Sequence, residues 1–204
     1  SMMKTILANV MIILVLAIMP AKAAIIYITP VQQQANIGDT LSIDVWIDGL
    51  AGDIVSGWDL DLLYDSTILQ ADDLVFELAN FTYDPLFDAL YDYSISATSI
   101  NSFLVSFLLD DELAALQLEP VKLFSVNFTA LTDGVSWLSF DDDPLFGLNV
   151  TGRRGESLVL DARGACVAVG QGECVRDVPA PATVWLFSGA LLLFVGRRMS
   201  KQQS

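Results

Sequence analysis

Between Leu41 and Asp48 the chain alternates without a break, Leu41, Ile43, Val45 and Ile47 against Ser42, Asp44, Trp46 and Asp48. Successive side chains of a strand point to opposite faces, whereas a helix needs apolar positions three and four apart. This octet therefore reads as a β-strand with one buried face. The same period returns over Val55 to Tyr64, where Trp58, Leu60, Leu62 and Tyr64 share a face opposite Asp59, Asp61 and Leu63. It returns again over Val121 to Ala130, with Phe124, Val126 and Phe128 inward and Leu123, Ser125, Asn127 and Thr129 outward. Ala24 to Thr29 is a short β-rich run ended by Pro30, and Gln32 to Asn36 is polar. Leu69 to Leu78 is a weaker strand with Leu74, Phe76 and Leu78 together. Ser94 to Thr98 is a further strand signal, and Ser102 to Leu109, apolar on both faces around Phe103, Val105 and Phe107, reads as a central strand. Val135 to Phe140, Leu145 to Val150 and Ser157 to Val169 complete the set. Thr132-Asp133-Gly134 is a hairpin-type turn. Asp84-Pro85 reads as a helix N-cap followed by proline at the first helical position, good for one or two turns. Asp110 to Leu118 reads as a loop with room for one helical turn. Many short strands with little helix predict an all-β sandwich.

The two ends are of another kind. Lys4, an apolar run from Val10 to Met19 and Ala21-Lys22-Ala23 form the basic, apolar and small-residue parts of a secretory signal peptide. At the other end Val178-Pro179-Ala180-Pro181-Ala182-Thr183 precedes an uncharged apolar run, Val184 to Val195, and then Arg197-Arg198. The prolines hold an extended linker, the run is a short membrane segment, and the arginines stay on the cytoplasmic side. Residues 1–23, 24–177 and 178–204 are thus expected to be signal peptide, sandwich domain and membrane-directed tail. The ends hold five basic residues and no Asp or Glu, so the domain keeps all 25 acids and only five bases, a formal charge of −20. Such a surface repels nucleic acid. The absence of histidine removes imidazole general bases and His zinc sites. In an exported chain, Cys166 and Cys174 read as one disulfide closed around Gly170-Gln171-Gly172.

The tail resembles the PEP-CTERM sorting signal of Gram-negative bacteria through Val178, Pro179, Pro181, Thr183, the apolar run, Arg197 and Arg198, although Ala180 stands where that family usually has Glu. The resemblance implies an exosortase-type processing enzyme as a partner and a C-terminal transmembrane helix. The domain resembles cohesin. The features that carry this are the Gly38-Asp39 turn, the Leu41–Asp48 strand, Gly57-Trp58 running into Tyr64-Asp65, Leu69 and the late Val121–Ala130 strand. That likeness implies a jelly-roll β-sandwich that binds proteins and does not catalyse. It further implies that the strands around Asp59 and Asn127 lie in one sheet, so that Asp59, Asp61, Leu63 and Asn127 form one binding patch.

Asp59 and Asp61, two residues apart on a strand face, are also the best carboxylate pair for glycoside hydrolysis, at about 6.5–7 Å from strand rise. No cofactor is expected, and calcium is the one candidate to weigh against plain solvated turns. Asp110-Asp111-Glu112 and Asp141-Asp142-Asp143 are dense enough for it, but lack the spaced pattern of an EF-hand loop. The leading expectation is an exported, C-terminally sorted surface or matrix module that binds a protein or polysaccharide and is associated with exopolysaccharide or biofilm. A secreted carbohydrate-active enzyme using carboxylates only and a purely structural matrix protein stand beside it.

Overall fold

The computed structural model describes residues 23–175. The signal peptide, apart from its last residue, and the whole sorting tail lie outside the described residues. Twelve strands run in the order β1 (Ala24–Thr29), β2 (Gln32–Ala35), β3 (Thr40–Asp48), β4 (Gly57–Leu63), β5 (Leu69–Phe76), β6 (Ala89–Ile95) and β7 (Ser99–Ser106). A seven-residue helix α1 (Asp110–Leu116) follows, then β8 (Val121–Ala130), β9 (Gly134–Phe140), β10 (Leu148–Thr151), β11 (Leu160–Arg163) and β12 (Ala165–Val169). They form two sheets, one ordered β11-β1-β3-β8-β5 and one ordered β2-β12-β9-β4-β7-β6, with β10 sharing an edge of β4 with β9.

The sheets close on each other because the strands alternate. Leu41, Ile43, Val45 and Ile47 of β3 are buried, as are Trp58, Leu60 and Leu62 of β4. Trp58 is the centre of the core, 4.9 Å from Phe81 and about 6 Å from Phe76 and Phe124. Its indole N–H would be stranded there. It donates to Ser102 Oγ at 3.3 Å, which accounts for a fully buried serine. The first and last strands of the described residues change sheets together. β1 crosses at Pro30 into β2, β11 crosses at Gly164 into β12, and each pair runs parallel.

Several expectations need correction. Thr132-Asp133-Gly134 is no hairpin, since it carries the chain from β8 in one sheet to β9 in the other. Polar Gln32–Ala35 is a strand, because pairing with β12 satisfies its backbone whatever its side chains are. Ser102 to Leu109, expected to be buried on both faces, is buried on one only. Ile100, Ser102 and Leu104 face the core, while Val105 and Phe107 face water. Leu123 is buried, not exposed. Val45 pairs with Phe124 and Trp46 with Lys122, so Leu123 is an extra residue in a bulge that turns it inward. Asp84 caps one turn only, accepting the Leu86 N–H at 3.0 Å.

Candidate binding face

The four residues expected to form one patch are divided. β4 and β8 belong to different sheets, so Asn127 lies on the opposite outer face from Asp59, Asp61 and Leu63. The resemblance carried the wrong sheet assignment for β8, and alternation cannot correct it, because period two identifies a face but not a neighbour.

Asp59 and Asp61 do come together with a residue that sequence reading missed. Asn101 on β7 pairs directly opposite Asp61. Its Nδ2 donates to Asp59 Oδ1 at 3.0 Å and to Asp61 Oδ1 at 2.8 Å, using both amide hydrogens. The carboxylates are thus tied to one amide on an open sheet face. Neither of the two grooves described below includes them. Around them the outer face reads in rows across β6, β7 and β4: Leu90, Val105, Gly57; Asp92, Phe103, Asp59; Ser94, Asn101, Asp61. Asn149 of β10 extends the second row, and Leu63 meets Ser99 on one side and Ser139 of β9 on the other.

Leu90 is 57% exposed, Val105 47% and Phe107 61%. The 83–88 turn that enters β6 adds Leu86 and Phe87, and Phe107 N–H bonds to Asp88 O at 2.7 Å there. No strand of this sheet carries a lysine or arginine, while Asp59, Asp61 and Asp92 all lie on its outer face. The result is an apolar strip with an acidic border.

The other outer face spends its polar groups on itself. Ser125 donates to Asp44, Asn127 to Asp73 and Thr129 to Asp72, each at 2.7–2.8 Å. Lys122 pairs with Asp44 at 2.9 Å and lies 5.8 Å from the centre of the Trp46 ring. A bulge between Ala71 and Asp73 is what sets Asp72 and Asp73 side by side. Towards β1 this face opens into a groove of about 480 Å³ lined by Ile25, Tyr27, Val31, Asp48 and Arg163 among others. Burial, and then the charge of Asp48, raise the Tyr27 pKa above the ordinary phenol value. A smaller groove of about 310 Å³ lies between Leu50, Ala114, Gln117 and Arg153. Gln117 is fully engaged there, bonding the Val55 N–H and both the Val55 and Asn80 carbonyls.

The two acid clusters accept backbone N–H groups. Glu112 accepts the Leu109 N–H, Asp110 accepts the Arg154 N–H, and Asp143 accepts those of Leu145 and Phe146. Among the described residues no three acidic or cysteine side chains converge as a metal site would require. Cys166 and Cys174 are bridged, as expected. The bridge folds residues 170–174 over the outer side of β12. Gln171 N–H bonds to Asp133 there, and Gln32 Nε2 reaches the Cys174 carbonyl at 3.4 Å.

No family model matches this chain, and no curated protein matches it. Solved structures do, at the level of the fold. A type II cohesin domain from the cellulosome of Acetivibrio cellulolyticus is 18% identical, with a TM-score of 0.57 over 72% of this chain and 95% of that one. A type I cohesin–dockerin complex from Clostridium thermocellum is 14% identical, with a TM-score of 0.56 over 73% and 100%. The seventh ScaB type I cohesin from Pseudobacteroides cellulosolvens is 16% identical, with a TM-score of 0.53 over 76% and 97%. The described domain therefore has a cohesin-like β-sandwich fold.

Proposed function

We propose that this chain is an exported, non-catalytic interaction module, held at the bacterial surface by its tail, and that it binds a partner protein through the outer face of β6, β7 and β4. The observation that carries this is the strip Leu90–Val105–Phe107, exposed beside Asp59, Asp61 and Asp92 on a sheet without a basic residue. A small apolar centre within a polar border is how protein interfaces are built. The charged residues of this border are all acidic, so the fitting partner presents apolar residues flanked by lysine or arginine. The solved complexes of similar fold include cohesins with their dockerins, which supports a protein as the ligand. Asp59 and Asp61 serve here as fixed acceptors, not as an acid–base pair.

Residues 1–23 are proposed to be a cleaved signal peptide. Val178, Pro179, Pro181, Thr183, Arg197 and Arg198 are proposed to form a sorting signal read by an exosortase-type enzyme. The surface or matrix setting, with exopolysaccharide or biofilm, follows from that tail. Capture of host surface proteins on the wild-type chain and on a Leu90→Asp/Val105→Asp variant tests the face. A protein retained by the first and lost by the second, with the melting temperature kept, is the expected result. Equal retention by both excludes this surface. Intact mass of the exported protein tests the tail, and it should end near residues 178–183. Full-length protein outside the cell, still carrying Arg197 and Arg198, would contradict sorting.

A further inference from the structure

The groove on the five-stranded sheet is separate from the partner face, and its chemistry is different. Register sets Tyr27 of β1 between Trp46 of β3 and Arg163 of β11, and Ile25 between Asp48 and Asp161. The groove floor is therefore Ile25 and the Tyr27 ring. Val31, 62% exposed, borders it at the sheet crossing. The rim groups keep hydrogen-bonding capacity. Arg163 uses Nε and Nη2 on Asp161 Oδ2, which leaves three of its five N–H groups. Asp48 accepts the Gly49 N–H through Oδ1, which leaves Oδ2. The Tyr27 hydroxyl makes no hydrogen bond among the described residues.

Each class of ligand can be weighed against this lining. An anion would meet Asp48 and Asp161 on a domain of formal charge −20, with Arg163 already paired to Asp161. A purely apolar segment would cover the tyrosine hydroxyl, a carboxylate and a guanidinium without replacing their water. A pyranose ring offers both surfaces at once, an apolar C–H face for an aromatic floor and a hydroxyl edge for charged acceptors and donors. About 480 Å³ falls within the range of small-ligand sites. The groove is open, so a chain can run through it.

We propose that this groove binds an uncharged polysaccharide, one sugar ring resting on Tyr27 and Ile25 with its hydroxyls bonded to Asp48 and Arg163. Protein partner and glycan would then occupy opposite sheets, and one module could join a surface protein to a matrix polymer.

Affinity electrophoresis of the full chain in zwitterionic detergent tests this. Native gels would contain hydroxyethyl cellulose, galactomannan or dextran, with alginate as the anionic comparison. At least one uncharged polymer should retard the protein. Tyr27→Ala and Arg163→Ala should each weaken that retardation tenfold or more, while Tyr27→Phe keeps most of it. Asp59→Ala, on the other sheet, should leave it unchanged, so loss of the partner face and loss of the glycan groove are read separately. Arg163 is 60% exposed, so its variant decides the matter if Tyr27→Ala misfolds. No retardation by any of the three uncharged polymers, retardation by alginate alone, or retardation indifferent to Arg163→Ala would overturn the proposal.

Discussion

Leu123 sits at a position in an alternating run that ought to meet water, yet it is fully buried. The bulge that turns it inward is a tertiary effect, so its cost on truncation is a sharp test. Leu123→Ala should lower unfolding free energy by about 2–5 kcal/mol in urea titrations, as for a core leucine. A loss below about 0.5 kcal/mol would return it to the surface. Gly57 is bound by a close approach. A Cβ there would stand 2.6 Å from the Leu104 carbonyl oxygen of the neighbouring strand. Gly57→Ala should therefore cost about 1–3 kcal/mol, the usual range for overpacking, in the same titration. Asp65 shows how a single exposed carboxylate enters the pH profile. Its Oδ1 accepts the Thr67 hydroxyl at 2.6 Å and the Thr67 N–H at 2.9 Å, which holds its pKa below the ordinary carboxylate value. A depressed folded pKa means stability that is present above the unfolded value of about 4 and lost as pH falls through the folded one. Asp65→Asn should flatten the fall in melting temperature between pH 4 and pH 2, slightly, because the group is exposed. An unchanged slope would mean that the Thr67 bonds do not matter in solution.

Among the elements, β12 and β7 show what neighbours do to a strand. All five residues of β12 are buried, because its inner side meets the core and its outer side lies under the 170–174 segment that the Cys166–Cys174 bridge folds back. Closing so short a loop should contribute about 2–3 kcal/mol in the chain-entropy account. A thermal melt with and without a mild reductant measures it, and free-thiol labelling of the non-reduced protein should find none. β7 carries apolar residues on both sides, and its sequence alone cannot say which side is the core. The structure assigns Ile100 and Leu104 to the core beside Trp58 and leaves Val105 and Phe107 outside. The residues that looked like a central strand's second buried face are those available to a partner.

At the scale of the whole molecule, charge and topology act together. The bases among the described residues, Lys122, Arg153, Arg154 and Arg163, all lie off the seven-stranded sheet. A partner bound on that face should lose affinity as salt is raised from low to several hundred millimolar, because the acid border faces solvent and is screened. Titration at two ionic strengths reads this, and a salt-independent affinity would leave only the apolar strip as the determinant. Period two in the sequence determined the fold class, the inner faces of β3 and β4 and the burial of Trp58, because alternation is a local property of a strand. Composition likewise marked the acidic domain and the disulfide pair. Only the tertiary structure decided which strands are neighbours. Sheet membership separated Asn127 from Asp59, register brought in Asn101, and a bulge buried Leu123. The Tyr27 groove likewise exists only because β11, β1 and β3 lie side by side. Those are pairings between residues far apart in the chain, and no local pattern encodes them.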